Sequence, residues 1–198
     1  LDGELEDEQG RLEAEGDAWD DVFARPRLRV AAAISRTCLD TARYGAARAW
    51  CERLLALCPA DELGARLTLA LALVRLEDEE GFERLDARFG RHGNAWSHLG
   101  RALLAYKLDR TGAARRSLRG FVSLCEGGAY ALLRPTYVDT YLPDRPLVEP
   151  GSLEEVTLAV HEADPIVADT PDFVSWAAGQ PGFSEQGESF ARERGLDW

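Results

Sequence analysis

Apolar residues recur every three or four positions along most of this 198-residue chain, and short polar or glycine-containing stretches separate the apolar runs. This spacing places the apolar side chains along one face of an α-helix. Pro26 is placed to open the first helix, Pro59 to end the second, and Asp61 to cap the third. The pattern therefore predicts an all-α protein in which consecutive helices form pairs.

Two partial matches to one 34-residue helix-pair template define the register of these pairs. Residues 96–100 read Trp-Ser-His-Leu-Gly, the W-x-x-L-G opening of a tetratricopeptide unit. Ala47, Cys51 and Pro59 keep the spacing of the second tetratricopeptide helix, with cysteine in place of the aromatic residue. The register predicts a tetratricopeptide-like superhelix over residues 25–128. Its three imperfect pairs are expected at about residues 28–61, 62–92 and 93–127.

The predicted pairs are flanked by segments of different character. Residues 1–24 form an acidic lead-in, since ten acidic side chains and one arginine lie within residues 1–21. This block is either solvated or an acidic strand lying in the chain's own basic groove. Four prolines interrupt residues 129–151. Because repeated proline forbids a regular helix and apolar residues lie between the prolines, we expect an extended arm packed on the helices, with a structureless connector as the alternative.

The C-terminal region, residues 152–198, begins with the capping-box signature Ser-Leu-Glu-Glu. It predicts one helix that fades near Asp164-Pro165, a second that ends at Gly179, and a polar tail from residue 180. The tail is expected to form at most a loosely docked last helix.

Composition narrows the classes of function. The formal net charge is −12, which argues against nonspecific nucleic-acid binding, because such binding needs lysine and arginine to displace phosphate counterions. No apolar run approaches the roughly 18 residues of a membrane span. The four cysteines fit no zinc motif, and we expect buried, reduced thiols in a cytoplasmic protein. A Cys38–Cys51 disulfide is the alternative in an oxidising compartment.

The sequence offers no convincing catalytic or metal site. Its three histidines, His92, His98 and His161, belong to none of the common nucleophile, phosphate-binding or zinc-protease motifs. Glu154 and His161 would share a helix face, but two ligands at that spacing are weak evidence for a metal. We therefore predict a protein without enzymatic activity, metal or cofactor.

Several segments lie in one order along the chain: Trp19 to Pro26, Ala47 to Pro59, Glu77 to Glu80, Ala95-Trp96 with 101–106, 113–118, and the proline arm followed by 151–155. In this order they resemble the bacterial tetratricopeptide proteins related to suppressor of tumorigenicity seven. The resemblance covers about residues 16–178 and implies an all-helical, repeat-containing intracellular protein without an agreed activity or catalytic residues.

A binding surface follows from the predicted register, since the first helices of stacked tetratricopeptide units line a concave groove. The candidate groove residues are Arg29, Arg36, Leu39, Arg66, Leu73, Asn94, Arg101 and Leu104. Arginine matches carboxylates with paired hydrogen bonds. The groove is therefore predicted to hold another protein, through an acidic or C-terminal peptide whose apolar side chains contact the leucines. The alternative is that the arginines pair with the chain's own 35 acidic residues.

Two further functions are open at the level of sequence. The acidic surface is compatible with an inhibitor or immunity-type protein that mimics nucleic acid. The strongly apolar helix expected in the second pair is compatible with a structural subunit that oligomerises. Of the three classes, we favour the protein-binding adaptor.

Overall fold

The structure is a computed structural model that describes residues 3, 17–90, 93–136, 138–139 and 141–198. Within these residues the chain forms ten α-helices, one short 3-10 helix (Ala18–Asp20) and no strand. The predicted all-α class is therefore confirmed. The helices are α1 (Arg25–Asp40), α2 (Tyr44–Leu57), α3 (Ala65–Arg75), α4 (Glu79–Arg88), α5 (Ala95–Lys107), α6 (Thr111–Leu124), α7 (Gly128–Leu133), α8 (Leu153–Ala168), α9 (Phe173–Ala178) and α10 (Phe183–Arg194). Most of the acidic lead-in, and His92, lie outside the described residues.

The first of two compact units comprises Leu1–Ala72 together with Thr140–Pro146. In it α1 packs against α2, with a proline in the first turn of α1 as the sequence predicts. Of the predicted extended arm, residues 129–133 instead form part of α7, and the described residues 134–136, 138–139 and 141–151 contain no helix. The apolar side chains buried on α1 and α2 are Leu28, Ala31, Ala32, Cys38, Leu39, Ala47, Cys51, Leu54, Leu55 and Leu57.

The second unit comprises Leu73–Asp139 together with Leu147–Trp198, so the boundary between the units falls within α3. In this unit α5 packs against α6 and α8, and α7 packs against α8 and α10. A buried hydrogen bond of 2.7 Å runs from Trp96 Nε1 on α5 to Glu162 Oε2 on α8. The tryptophan of the W-x-x-L-G motif is thus a core residue.

The C-terminal helices extend further than the sequence indicates. Helix α8 continues through Pro165 to Ala168, so the expected end near Asp164-Pro165 is wrong. The last helix, α10, is firmly packed, because it buries Phe183, Gly187 and Ala191 and lies against α7. Tertiary packing therefore outweighs the weak helix signals of this region.

None of the described helices combines the length and the apolar character that a membrane crossing needs.

Candidate peptide-binding site

A segment of the chain without helix or strand lies against the helices of the first unit. The arm segment, residues 141–146, contacts α1 and the start of α3 through side chains of both partners. Arg29 Nε donates to Asp144 Oδ1 at 2.8 Å, and Arg29 Nη2 donates to the other carboxylate oxygen. This paired arrangement lowers the pKa of Asp144, chiefly through the hydrogen bond from Arg29. Helix α1 therefore holds a carboxylate of the arm segment through both of its oxygens.

A second arginine of α1 donates a hydrogen bond to the backbone of the same segment. Arg36 is only 6 % exposed, and its Nη2 donates to the Pro143 carbonyl oxygen. Arg29 and Arg36 are seven residues apart, which puts them on one helix face two turns from each other. One side of α1 thus donates hydrogen bonds to two adjacent acceptors of the arm segment, the Pro143 carbonyl and the Asp144 carboxylate.

The arm segment also inserts a donor into the helical unit. Arg145 Nη1 donates to the Gly64 carbonyl oxygen at 2.8 Å, and its Nη2 donates to Thr68 Oγ1 at 2.9 Å. Gly64 has a φ of +65°, and a Cβ atom there would lie 2.5 Å from Arg145 Nη1. Glycine at this position therefore permits both the backbone conformation and the approach of the guanidinium group.

We call the site on Gly64 and Thr68 that takes the Arg145 guanidinium group the notch. A buried carboxylate, Asp61, lies near it. The Asp61 side chain is 1 % exposed, and its Oδ1 accepts from the Ala65 backbone N–H at 2.6 Å, which confirms its predicted role as a cap of α3. Burial raises the pKa of Asp61 to about 6, although the charge of Arg66, hydrogen bonds from the backbone N–H groups of Arg66 and Ala65, and the charge of Arg145 all act in the opposite direction. Asp61 thus adds negative charge beside a site that takes a guanidinium group.

The thiols near the site are poor nucleophiles. Cys51 is buried, and burial raises its pKa to about 12 despite a hydrogen bond with Ser35. Burial likewise raises the pKa values of Cys58 and Cys125 to about 12. Since the thiolate is the reactive form, these side chains act as small apolar groups. All four cysteines are free and buried.

The eight predicted groove residues are divided between the two units, and four of them lie in the first. Arg29 and Arg36 contact the arm segment. Arg66 Nε lies 3.7 Å from Asp61 Oδ2. Leu39 is 1 % exposed, because it packs into the apolar core, and it offers almost no surface to a partner.

In the second unit the predicted groove residues serve the chain itself. Asn94 Oδ1 accepts from the Ser97 backbone N–H at 2.9 Å and so caps α5. Arg101 Nη2 donates to Asp86 Oδ2 at 2.8 Å. Leu73 and Leu104 are 2 % and 4 % exposed. Pairing with the chain's own acids, the alternative drawn from the sequence, therefore describes Arg29, Arg66 and Arg101.

The sequence reading missed the arm side of this contact. Asp144 and Arg145 form an adjacent acid–base pair between Pro143 and Pro146. An opposite-charge pair held in an extended, proline-flanked stretch is the signal that was available. Gly64 carried no such signal, because its role depends on where Arg145 lies.

The weaker candidates for chemistry do not converge. His98 packs against the turn at Gly93, and burial lowers its pKa. Glu154 and His161 are both exposed on α8. Within the described part of the chain, no group of three or more histidine, cysteine, aspartate or glutamate side chains could hold a metal ion.

Comparison with known proteins identified no relative of this chain. No protein-family model, no curated protein and no solved structure matches this chain. The likeness to tetratricopeptide proteins therefore stays a prediction from motifs, and the site must be interpreted from its own chemistry.

Proposed function

We propose that this protein is a non-enzymatic adaptor that binds another protein through the first unit. The observation that carries the proposal is that α1 and the start of α3 hold a segment of chain that has no helix or strand through four side-chain and backbone partners. We call Arg29, Arg36, Gly64 and Thr68 the arm-binding surface, because these residues contact the arm segment. A surface that already accommodates one extended segment has the shape and donors needed for a peptide.

The chemistry of the surface supports an acidic partner. Arginine offers a planar pair of donors that suits the two oxygens of an aspartate, a glutamate or a C-terminal carboxylate. Recognition of a backbone carbonyl by Arg36 adds affinity for an extended main chain without demanding a particular side chain there. Both features agree with the acidic peptide expected from the sequence.

The helix pairs support a finer architectural proposal. Packing of α1 on α2 and of α5 on α6 follows the pairing that the tetratricopeptide register predicts. We propose that these two pairs, and α3 with α4 between them in sequence, are degenerate tetratricopeptide-like units. We further propose that the protein is bacterial and cytoplasmic. The four free, buried thiols are compatible with a reducing compartment.

The test compares the capture of partners from a lysate of the native cell by wild type and by two charge-reversal variants. Arg29→Glu removes the carboxylate-binding donor. Arg48→Glu is the matched control, because Arg48 forms an i,i+4 ion pair with Glu52 on α2. Both proteins should keep the wild-type circular dichroism spectrum. We expect a protein held by wild type and Arg48→Glu to be lost from Arg29→Glu.

Other outcomes would overturn this site. A basic partner retained equally by all three proteins would favour the acidic inhibitor, and self-association in light scattering without a partner would favour the oligomerising subunit. Absence of any captured protein would argue against an adaptor.

A further inference from the structure

The arm-binding surface is filled by the chain's own residues. We propose that the arm segment is an internal ligand, and that the external partner displaces it with an extended peptide containing an aspartate followed by an arginine. This inference rests on the proposed protein-binding function, and it specifies both the chemistry of the partner and the step that admits it.

The surface selects two opposite charges in sequence. Arg29 and Arg36 supply donors to a carboxylate and to the carbonyl that precedes it. The Gly64 carbonyl and the Thr68 hydroxyl supply acceptors to a guanidinium group. In the chain's own segment, the neighbouring side chains of Asp144 and Arg145 contact the two halves of the surface, so one aspartate–arginine pair reaches both halves at once. An acidic peptide without the arginine would fill only one half.

The contacts that hold the arm segment are of a kind that a competitor can replace. The segment has no helix or strand, and the side chains of Arg29 and Asp144 are 42 % and 52 % exposed. Leu142 is 62 % exposed, so this apolar side chain does not anchor the segment. Exposed ion pairs contribute little net stability. The hydrogen bonds that Arg29, Arg36 and Arg145 make in holding the segment are polar contacts, and an external peptide of the same chemistry reproduces them.

Tethering makes a distinctive prediction about affinity. A covalently attached ligand competes at an effective concentration in the millimolar range. Weakening the arm segment should therefore strengthen binding of the external peptide, because the internal competitor is lost while the surface is intact. A segment with a purely structural role would not produce this gain.

The experiment measures fluorescence anisotropy with a labelled peptide of sequence Tyr-Leu-Pro-Asp-Arg-Pro, which corresponds to residues 141–146. The proteins are wild type, the double variant Asp144→Ala/Arg145→Ala, and that variant with Arg29→Ala added. A peptide with aspartate and arginine exchanged is the sequence control. We expect the double variant to bind at least tenfold more tightly than wild type, and the added Arg29→Ala to weaken that binding severalfold.

Two results would overturn the inference. One is a folded double variant that gains no affinity, and the other is equal binding of the exchanged peptide. If the double variant does not fold, the same comparison is made with the single variants Asp144→Ala and Arg145→Ala, and the absence of a gain in both overturns the inference as well. Failure here with a captured partner in the lysate experiment would overturn displacement alone and leave the adaptor function standing.

Discussion

Asp61 is a buried carboxylate of the first unit whose charged form is disfavoured by its surroundings. Its pKa is raised from an ordinary 3.8 to about 6 because burial disfavours the carboxylate. The folded chain therefore holds the proton more tightly than the unfolded chain does. Stability from this residue is full below about pH 3.8 and is lost as the pH rises through about 6. At neutral pH the ionised group is carried at a cost, in exchange for its bonds to the start of α3.

Replacing Asp61 by asparagine should remove this pH dependence. A pKa difference of about two units corresponds to at most about 3 kcal/mol. We expect the free energy of unfolding of wild type to fall by up to that amount, relative to Asp61→Asn, as the pH rises from 4 to 6. Asparagine keeps an acceptor for the Ala65 N–H and tolerates the φ of +63°. Urea unfolding at pH 4, 5, 6 and 7 measures the difference, and parallel pH profiles for the two proteins would contradict it.

Gly64 makes the notch possible, so substitution there should damage both the fold and the contact with the arm segment. An added Cβ would meet Arg145 Nη1 at 2.5 Å, and the positive φ would strain any L side chain. We expect Gly64→Ala to destabilise the protein by about 1–2 kcal/mol from the left-handed backbone alone.

Gly45→Ala is the matched control for this substitution. A Cβ at Gly45 meets nothing within 4 Å, and the residue lies in α2, so alanine should be neutral or stabilise by up to about 1 kcal/mol. Thermal and urea unfolding of both variants would report the difference. Equal effects of the two substitutions would contradict both the left-handed backbone at Gly64 and the close approach of Arg145.

At the scale of elements, a buried hydrogen bond joins two helices of the second unit. Trp96 on α5 and Glu162 on α8 are both buried, and their hydrogen bond spans 66 residues of sequence. Because a buried indole N–H without an acceptor costs about 1–3 kcal/mol, Glu162→Ala should reduce the free energy of unfolding by at least this amount. Glu162→Gln should lose less, since its amide oxygen can still accept.

Exposed Glu154 on the same helix provides the control for this contact. Glu154→Ala should change the free energy of unfolding by about 0.5 kcal/mol or less. Urea titrations followed by circular dichroism compare the three variants. A loss for Glu154→Ala as large as that for Glu162→Ala would show that the α5–α8 bond is not responsible.

Across the whole molecule, the thiols provide a probe of global opening. Three of the four have a pKa raised to about 12 by burial, and Cys38 is 8 % exposed. We expect the native protein at pH 8 to react with Ellman's reagent only at the rate of unfolding, and the protein in guanidinium chloride to react rapidly at all four sites. Rapid labelling of the native protein would contradict the burial described here.

Much of the local structure could be predicted from sequence because it depends on neighbours in the chain. Pro26 begins a helix where its missing N–H is harmless, and Asp61 caps α3 with its own side chain. Trp96 and Leu99 are three residues apart, and 3.6-residue periodicity predicts that both lie on the buried face of a helix. Both side chains are buried. Pro165 misled the sequence analysis, because packing of α8 on α5 and α7 supports a helix that proline alone would end.

What the sequence determined by itself is the helical class, the helix starts that side chains cap, and the apolar faces that pair, since these follow from short-range periodicity and local hydrogen bonding. The tertiary structure alone decided what the arginines contact. Arg29 meets Asp144 across 115 positions, and Arg145 meets Gly64 across 81. The pattern of a single helix cannot specify a partner that distant, because the choice among many acidic residues depends on which of them folding brings within hydrogen-bond distance.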